Sequence, residues 1–516
     1  MSTMRIGGLA SGMDIDSLVE KLMSTERAPL DKLEQQKQTY EWQRDAYRDV
    51  NTKLKTFDTY IADNLILKSL NTKTATSSNS NLVDVTATSA ATGSLSIEGV
   101  SQLATAARAV GTKVSATGST KMVDLTGGGY IELKAIQSNG EMAATATRID
   151  ITEDMTVDQF ISKVNASSAG VSMMFENGQF SITAKNTGDN KAGDEILVES
   201  GADILRSLGF MKDADGNNID QLQTVDGKNA IFKINGIDTE RSKNNFTISG
   251  YSVTLKNIFN NTGTSEVNPV QLTSTTNVDE MIGKIKDFVT TYNGLITDLN
   301  NLKTEEKYRD YKPLTTEQRE AMEESEIKLW EEKAKSGLLR GDSIIQDGLS
   351  SFRNLVYQSN PAISNTKYNT LFNVGITTSK DYMSGGTLEI DETKLRAALE
   401  ADPDAVTKLF NFSGKQDDTV TVNGETKVAD TRGFLQKLRA EMDNVKVKIE
   451  ARAGRSTMSE TQFTLGKYLK DVNSRITTWQ DKLEDIESRY WTQFTRMETA
   501  INNANSQSTS LSSYFA

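Results

Sequence analysis

A chain of 516 residues is too long for one ordinary hydrophobic core, so several domains are expected. Its net charge of −12 disfavours nucleic acid or an anionic membrane as the main partner, and it holds no run of about eighteen apolar residues able to span a bilayer. Cysteine and histidine are both absent, which removes disulfides, thiolate nucleophiles, zinc–thiolate sites and every imidazole-based triad.

The opening thirteen residues carry one arginine and a glycine-interrupted stretch rather than the apolar segment of a signal peptide. The expectation is a protein that stays inside or leaves by a route that ignores such peptides. Only five prolines occur, which permits long helices. Up to about residue 70 the pattern is helical. Asp14 or Ser17 is placed to cap a helix bearing Ile15, Leu18, Val19 and Leu22, and Ser17 with Glu20 has capping-box spacing. Pro29 is expected in the first turn of a second helix, where its missing N–H costs nothing. There Leu33, Tyr40, Tyr47, Leu54 and Ile61 recur every seven residues, followed three positions later by Gln36, Gln43, Val50, Phe57 and Asn64. The seam is half polar at its start and apolar later.

From about 71 to 275 the composition turns to Thr, Ser, Asn and Gly. Alternation at Val83, Val85 and Ala87, then Leu95 and Ile97, predicts half-buried strands. Thr156 with Gln159 opens a short helix bearing Val157, Phe160, Ile161 and Val164. Strands around 171–175 and 180–182 meet at Asn177-Gly178, and Phe232 and Ile234 precede Asn235-Gly236; both dipeptides favour a type I′ hairpin. Phe246 and Ile248 face Tyr251, Val253 and Leu255 across Gly250.

Helix returns at Asn277, with Val278, Ile282, Ile285, Val289, Tyr292, Ile296 and Leu299 in four-three spacing. Thr315 with Gln318 begins a charged helix expected to reach Trp330, and Asp402 caps one that starts at Pro403. Leu435, Leu438, Met442, Val445 and Ile449 form one seam. Leu465, Leu469, Val472, Ile476, Trp479, Leu483, Ile486 and Tyr490 form another, slipping by four to Phe494, Met497 and Ile501. The Asn/Ser-rich tail 502–516 is expected to be mobile when unbound.

The architecture implied is α+β and multidomain: heptad helices at both ends form a helical or coiled-coil leg, with a β-rich head inserted between them. The boundaries are 1–70 for an N-terminal leg and 71–275 for the head, divisible into 71–120 with 225–275 and a module at 121–224. A mixed stem at 276–430 and a coiled-coil leg with tail at 431–516 complete the chain.

Catalytic chemistry finds no footing in these residues. The Gly-Lys pairs at 227, 283, 414 and 466 lack the upstream glycine of a phosphate loop, and 127–129 is a flexible turn. Asp213, Asp215 and Asn217 imitate the start of a calcium loop, but Asn218 stands in place of its glycine and Thr224 in place of its glutamate, so a simple turn is expected. No cofactor and no metal are expected. The seam 435–449 fits an internal core and a partner surface equally. The seam from Leu465 onward is longer and carries Trp479, Tyr490, Trp491 and Phe494, more than a two-helix hairpin is expected to cover. Its residues, with Leu18 and Leu22 of the first helix, are the candidate assembly and partner-binding residues.

The motifs have a likeness. Ile6-Gly7-Gly8-Leu9-Ala10-Ser11-Gly12-Met13-Asp14, with Val19, Leu22, Met23 and Pro29-Leu30, resembles the start of hook-associated protein 2, the flagellar filament cap family. Val100-Ser101-Gln102-Leu103-Ala104 is similar to its first strand-to-helix junction, and 156–182 to a small module shared with some flagellins. Phe288-Val289 with Tyr292-Asn293, Gly375-Ile376-Thr377, and 388–395 with Asp402-Pro403-Asp404 continue the match. Arg489-Tyr490, Gln493-Phe494-Thr495 and Met497-Glu498 resemble the C-terminal signature; 110–230 fits most loosely, and 311–341 looks like the Gram-positive version.

The resemblance implies a homo-oligomeric ring, a pentamer or similar, at the tip of the flagellum, reached through the flagellar type III export channel without a cleaved signal peptide. It implies flagellin and the hook–filament junction proteins as partners, and a cytoplasmic export chaperone at the C-terminal region. The rival readings are a hook-junction or filament subunit, which would lack the opening Gly-Leu-Ala-Ser-Gly-Met-Asp arrangement, and a surface adhesin presented by the head.

Overall fold

Asp14 caps the first helix, its carboxylate accepting the Ser17 N–H at 3.1 Å, and the helix then runs unbroken from Ile15 to Ile61. A computed structural model describes residues 12–212, 217–219, 221–260, 268–422 and 425–515, so the motif residues Ile6 to Ser11 lie outside the described residues. Pro29 was expected to open a second helix and instead sits inside this one. An interior proline costs one hydrogen bond and a steric clash, about 3 kcal/mol. Thr25, whose carbonyl loses its donor, is exposed to water, and the long apolar stripes on either side of the proline hold the helix together.

Two units are separated by their contacts: residues up to Leu70 together with those from Val278 onward, and Asn71–Asn277. In the helical unit, Ile15–Ile61 shares one core with Val278–Thr304, Ser343–Leu355, Pro403–Asn411 and Phe434–Ala453. Its centre is aromatic: the ring of Phe288 meets those of Phe410 and Phe434 edge-on at 6.4 and 6.0 Å. The seam Leu435, Leu438, Met442, Val445 and Ile449 is buried in this core, so stem and leg are joined there rather than separate.

One helical expectation is corrected. The helix begun by the Thr315/Gln318 capping box ends at Glu320, and a new one, Glu324–Lys335, starts from its own box at Glu323 and Glu326. Acidic residues crowd the break, where like charges one turn apart oppose a continuous helix. The tail, by contrast, is helical: Thr464–Phe515 is one element. Residues 502–515 contain neither glycine nor proline. Hydroxyls there return to carbonyls four residues back, Thr509 to Asn505 at 2.8 Å and Ser512 to Ser508 at 2.9 Å.

The β-rich unit has two cores. In the first, a five-stranded sheet (Lys73–Ser77, Val270–Thr276, Ser94–Gln102, Ala230–Ile234, Ile237–Arg241, in spatial order) faces the sheet Asn245–Ile248, Tyr251–Leu255, Val83–Ala87. Ile97, Val83, Tyr251 and Leu272 fill it. The second gathers the helix Val157–Ala166, the strands Val171–Glu176 and Gln179–Ala184, and the sheet centred on Gly129–Ala135 around Phe160 and Phe180. Asn177-Gly178 and Asn235-Gly236 turn with φ of 51° and 79°, and 48° and 80°, the positive angles a type I′ hairpin requires. Of the calcium-loop residues, Asp213 and Asp215 lie outside the described residues.

Candidate assembly interface

The terminal helices Ile15–Ile61 and Thr464–Phe515 run antiparallel along each other. Near the core, the Tyr40 and Tyr468 rings lie 5.5 Å apart, and Leu33 is buried with Val472 and Ile476. Farther out Ile15, Val19 and Met23 close on Leu483 and Ile486, with Leu30, Tyr490, Trp491 and Phe494 packed at the margin. The spacing explains the fit. Ile15, Val19 and Met23 recur every four residues, one ridge of a helix, and drop between residues three and four apart on the partner.

The seam is therefore covered within the chain. Leu465, Leu469 and Val472 are buried to 2% exposure or less, and Ile476, Leu483 and Ile486 to 9% or less. The expectation that this face is more than a two-helix hairpin covers is corrected for these six positions: Leu465 joins the core of the helical unit, Val472 and Ile476 pack with Leu33, and Leu483 and Ile486 pack with Ile15, Val19 and Met23. Trp479, Tyr490, Phe494 and Met497 remain half-buried. Leu18 and Leu22 lie beside the buried ridge at 42% and 37% exposure. The apolar stripe of the first helix is thus wider than its partner covers. Met23 and Leu30, which close the seam, stand among the opening motif residues but not among the candidate assembly residues; the four-residue step from Ile15 is the signal that places Met23 on the ridge.

Polar contacts fix the register. The hydroxyl of Tyr490 donates to Glu26 Oε1 at 3.1 Å, and this bond pushes its pKa up. The segment between Thr304 and Ser343 supports the first helix: Gln35 donates to the carbonyl of Pro313 at 2.8 Å, Arg27 pairs with Glu317 at 3.5 Å, and Lys335 lies 4.9 Å above the Trp42 ring. Burial, with Glu317 close by, raises the pKa of Asp31 there. Among the described residues no cluster of carboxylates is arranged to hold a metal, and no helix is long and apolar enough to cross a membrane.

Residues 227–506 match the family described as flagellar hook-associated protein 2 C-terminus, and residues 11–107 match its N-terminus counterpart. The flagellar hook-associated protein 2 of Halalkalibacterium halodurans is 36% identical over 544 aligned residues, spanning 99% of this chain and 100% of that one. The chain belongs to the flagellar hook-associated protein 2 family. The protein of the same name from Escherichia coli O157:H7 is 28% identical, over 98% of this chain and 97% of its own. The crystal structure of the flagellar cap protein FliD D1-D2-D3 domains from Escherichia coli aligns with 83% of this chain and 99% of its own, at 20% identity and a TM-score of 0.49. In this hook-associated protein 2 relative, both family matches include part of the terminal helix pair: residues 11–107 hold the ridge Ile15, Val19 and Met23, and 227–506 hold the opposing seam.

Proposed function

We propose that this chain caps the distal end of the flagellar filament, retaining exported flagellin and promoting its folding and insertion beneath the cap. Copies associate into a small closed ring, because a cap must stop at a finite number. Flagellin and the hook–filament junction proteins are its neighbours, and an export chaperone holds the C-terminal region until the chain leaves through the type III channel. The protein works by burial of side chains, without catalysis of its own.

The observation that carries this reading is the half-finished surface of the terminal helices. Leu18, Leu22, Phe494 and Met497 border a seam closed within the chain, and 502–512 are exposed on every side. Such a stripe is completed when neighbouring helices of the ring or filament lie against it. The test is a strain lacking the chain, complemented with wild type or with Leu18→Asp/Leu22→Asp. Loss of filaments with flagellin released into the medium is expected for the null and the variant. Normal filaments on the null strain would remove the cap assignment.

A further inference from the structure

Among the described residues, the strands Asp418–Val422 and Glu425–Ala429 pair only with each other, as a two-stranded ribbon within the helical unit. Thr419, Thr421, Glu425, Thr426, Lys427 and Val428 are exposed, Val428 to 67%, while Asp418, Val420 and Ala429 are half-buried. An isolated two-stranded ribbon is marginal in water. Its root is built firmly all the same. Thr431, 1% exposed, donates to Asp418 Oδ2 at 2.8 Å and accepts the Lys415 N–H at 3.0 Å. Asn360, 2% exposed, donates to the carbonyls of Thr431 and Arg432 at 3.1 and 3.2 Å. A fixed base thus holds out two strands whose Thr419, Thr421, Thr426 and Val428 face is exposed.

Proteins ordinarily protect strand edges with bulges, prolines or a covering element. This ribbon has unbroken register, no proline in either strand, and a face made only of Thr419, Thr421, Thr426 and Val428. We propose that the ribbon adds edge to edge to the ribbon of a second copy of this chain, Glu425–Ala429 of one pairing antiparallel with Asp418–Val422 of the next. The inference rests on the self-association argued above and names the surface that makes it. The occupant follows from two features. Pairing the unlike edges of two copies makes the contact head-to-tail, so that it repeats from copy to copy and loses its last open edge only when a ring closes. The charges also complement one another. Inside one ribbon Lys427 faces Val420, whereas a shift of two residues between copies sets it opposite Asp418 and beside Asp417.

The chain has no cysteine, so single introduced thiols report proximity cleanly. Full-length Thr419→Cys and Thr426→Cys proteins, mixed and oxidised, are expected to form a disulfide-linked dimer containing one of each, with at least tenfold less dimer from either alone. Lys427→Asp should raise the concentration for assembly at least tenfold by native mass spectrometry, and adding Asp417→Lys should restore it to within about threefold. Wild-type rings with no mixed dimer and no response to Lys427→Asp would overturn the ribbon contact and leave self-association standing. A wild-type chain that is monomeric at every concentration would overturn both.

Discussion

The hydrogen bond from Tyr490 to Glu26 joins residues 464 positions apart and fixes how far the two terminal helices overlap. Eleven residues separate Glu26 from Ile15, where the first helix starts, so its partner outruns it near Ile501. The stretch 502–515 then continues for about 20 Å of helix. One helix therefore carries internal core and unfinished surface in succession, with the change close to Tyr490.

That boundary predicts a split between two substitutions of similar chemistry. Leu483→Ala removes a side chain seated against Ile15, Val19 and Met23, and should weaken the helix pair in the isolated chain by about 2–5 kcal/mol. Met497→Ala, at the half-buried margin, should change stability by less than about 1 kcal/mol and yet impair filament capping. Native-state hydrogen exchange on the helix pair, together with filament counts in complemented cells, separates the two.

Local chemistry was legible in the sequence and long-range cover was not. The Thr156/Gln159 box and the Asn177-Gly178 turn stand where the residues indicate, because hydrogen bonds and φ angles within four residues decide them. Pro29 stays inside the helix because its local penalty is outweighed by packing against residues far along the chain, Leu483 and Ile486 among them. The seams 435–449 and 465–486 have the same period whether a neighbour or the chain itself covers them. Only the fold reveals Ile15, Val19 and Met23 opposite the second.

Pro29 supplies its own test. Replacing it with alanine restores a donor to the Thr25 carbonyl and removes the ring from the helix interior. Pro29→Ala should stabilise the first helix by about 1–3 kcal/mol, read as slower hydrogen exchange across residues 20–35. Unchanged or faster exchange would show that the proline sets a bend on which the helix pair depends.

The hydroxyl of Tyr47 donates to Asp342 Oδ2, while Oδ1 of the same carboxylate caps Ser343–Leu355 by accepting the Ile345 N–H at 3.0 Å. Burial, then the bond to Asp342, raises the Tyr47 pKa well above its ordinary 10.0. A pKa raised in the folded state gives stability that is complete below the unfolded value and is lost as pH climbs past it. Wild type should exceed Tyr47→Phe by about 1–2 kcal/mol at pH 8, and the gap should narrow steadily above about pH 10. Urea unfolding of both proteins at pH 8 and pH 11 measures it; a gap constant with pH would mean the phenol does not stay protonated in the fold.

The last prediction concerns the corner between the two C-terminal helices. Gly454 ends Phe434–Ala453 with φ 66° and ψ 168°, a backbone region essentially closed to other residues. A methyl group on it would also fall 2.3 Å from the Phe463 ring. Arg48 closes the same corner, donating to the carbonyls of Ala453 and Gly454 at 3.3 and 3.2 Å with its guanidinium 5.8 Å from the centre of that ring. Gly454→Ala therefore adds backbone strain and a clash at once, and should destabilise the helical unit by about 2–4 kcal/mol. The double variant Gly454→Ala/Phe463→Leu relieves the clash alone and should recover only part of the loss. The β-rich unit keeps its own two cores, so its melting should stay within about 2 °C of wild type in both variants. A helical unit as stable in Gly454→Ala as in wild type would show that the corner relaxes freely, and that the first helix alone, through its seam, holds the C-terminal helix in place.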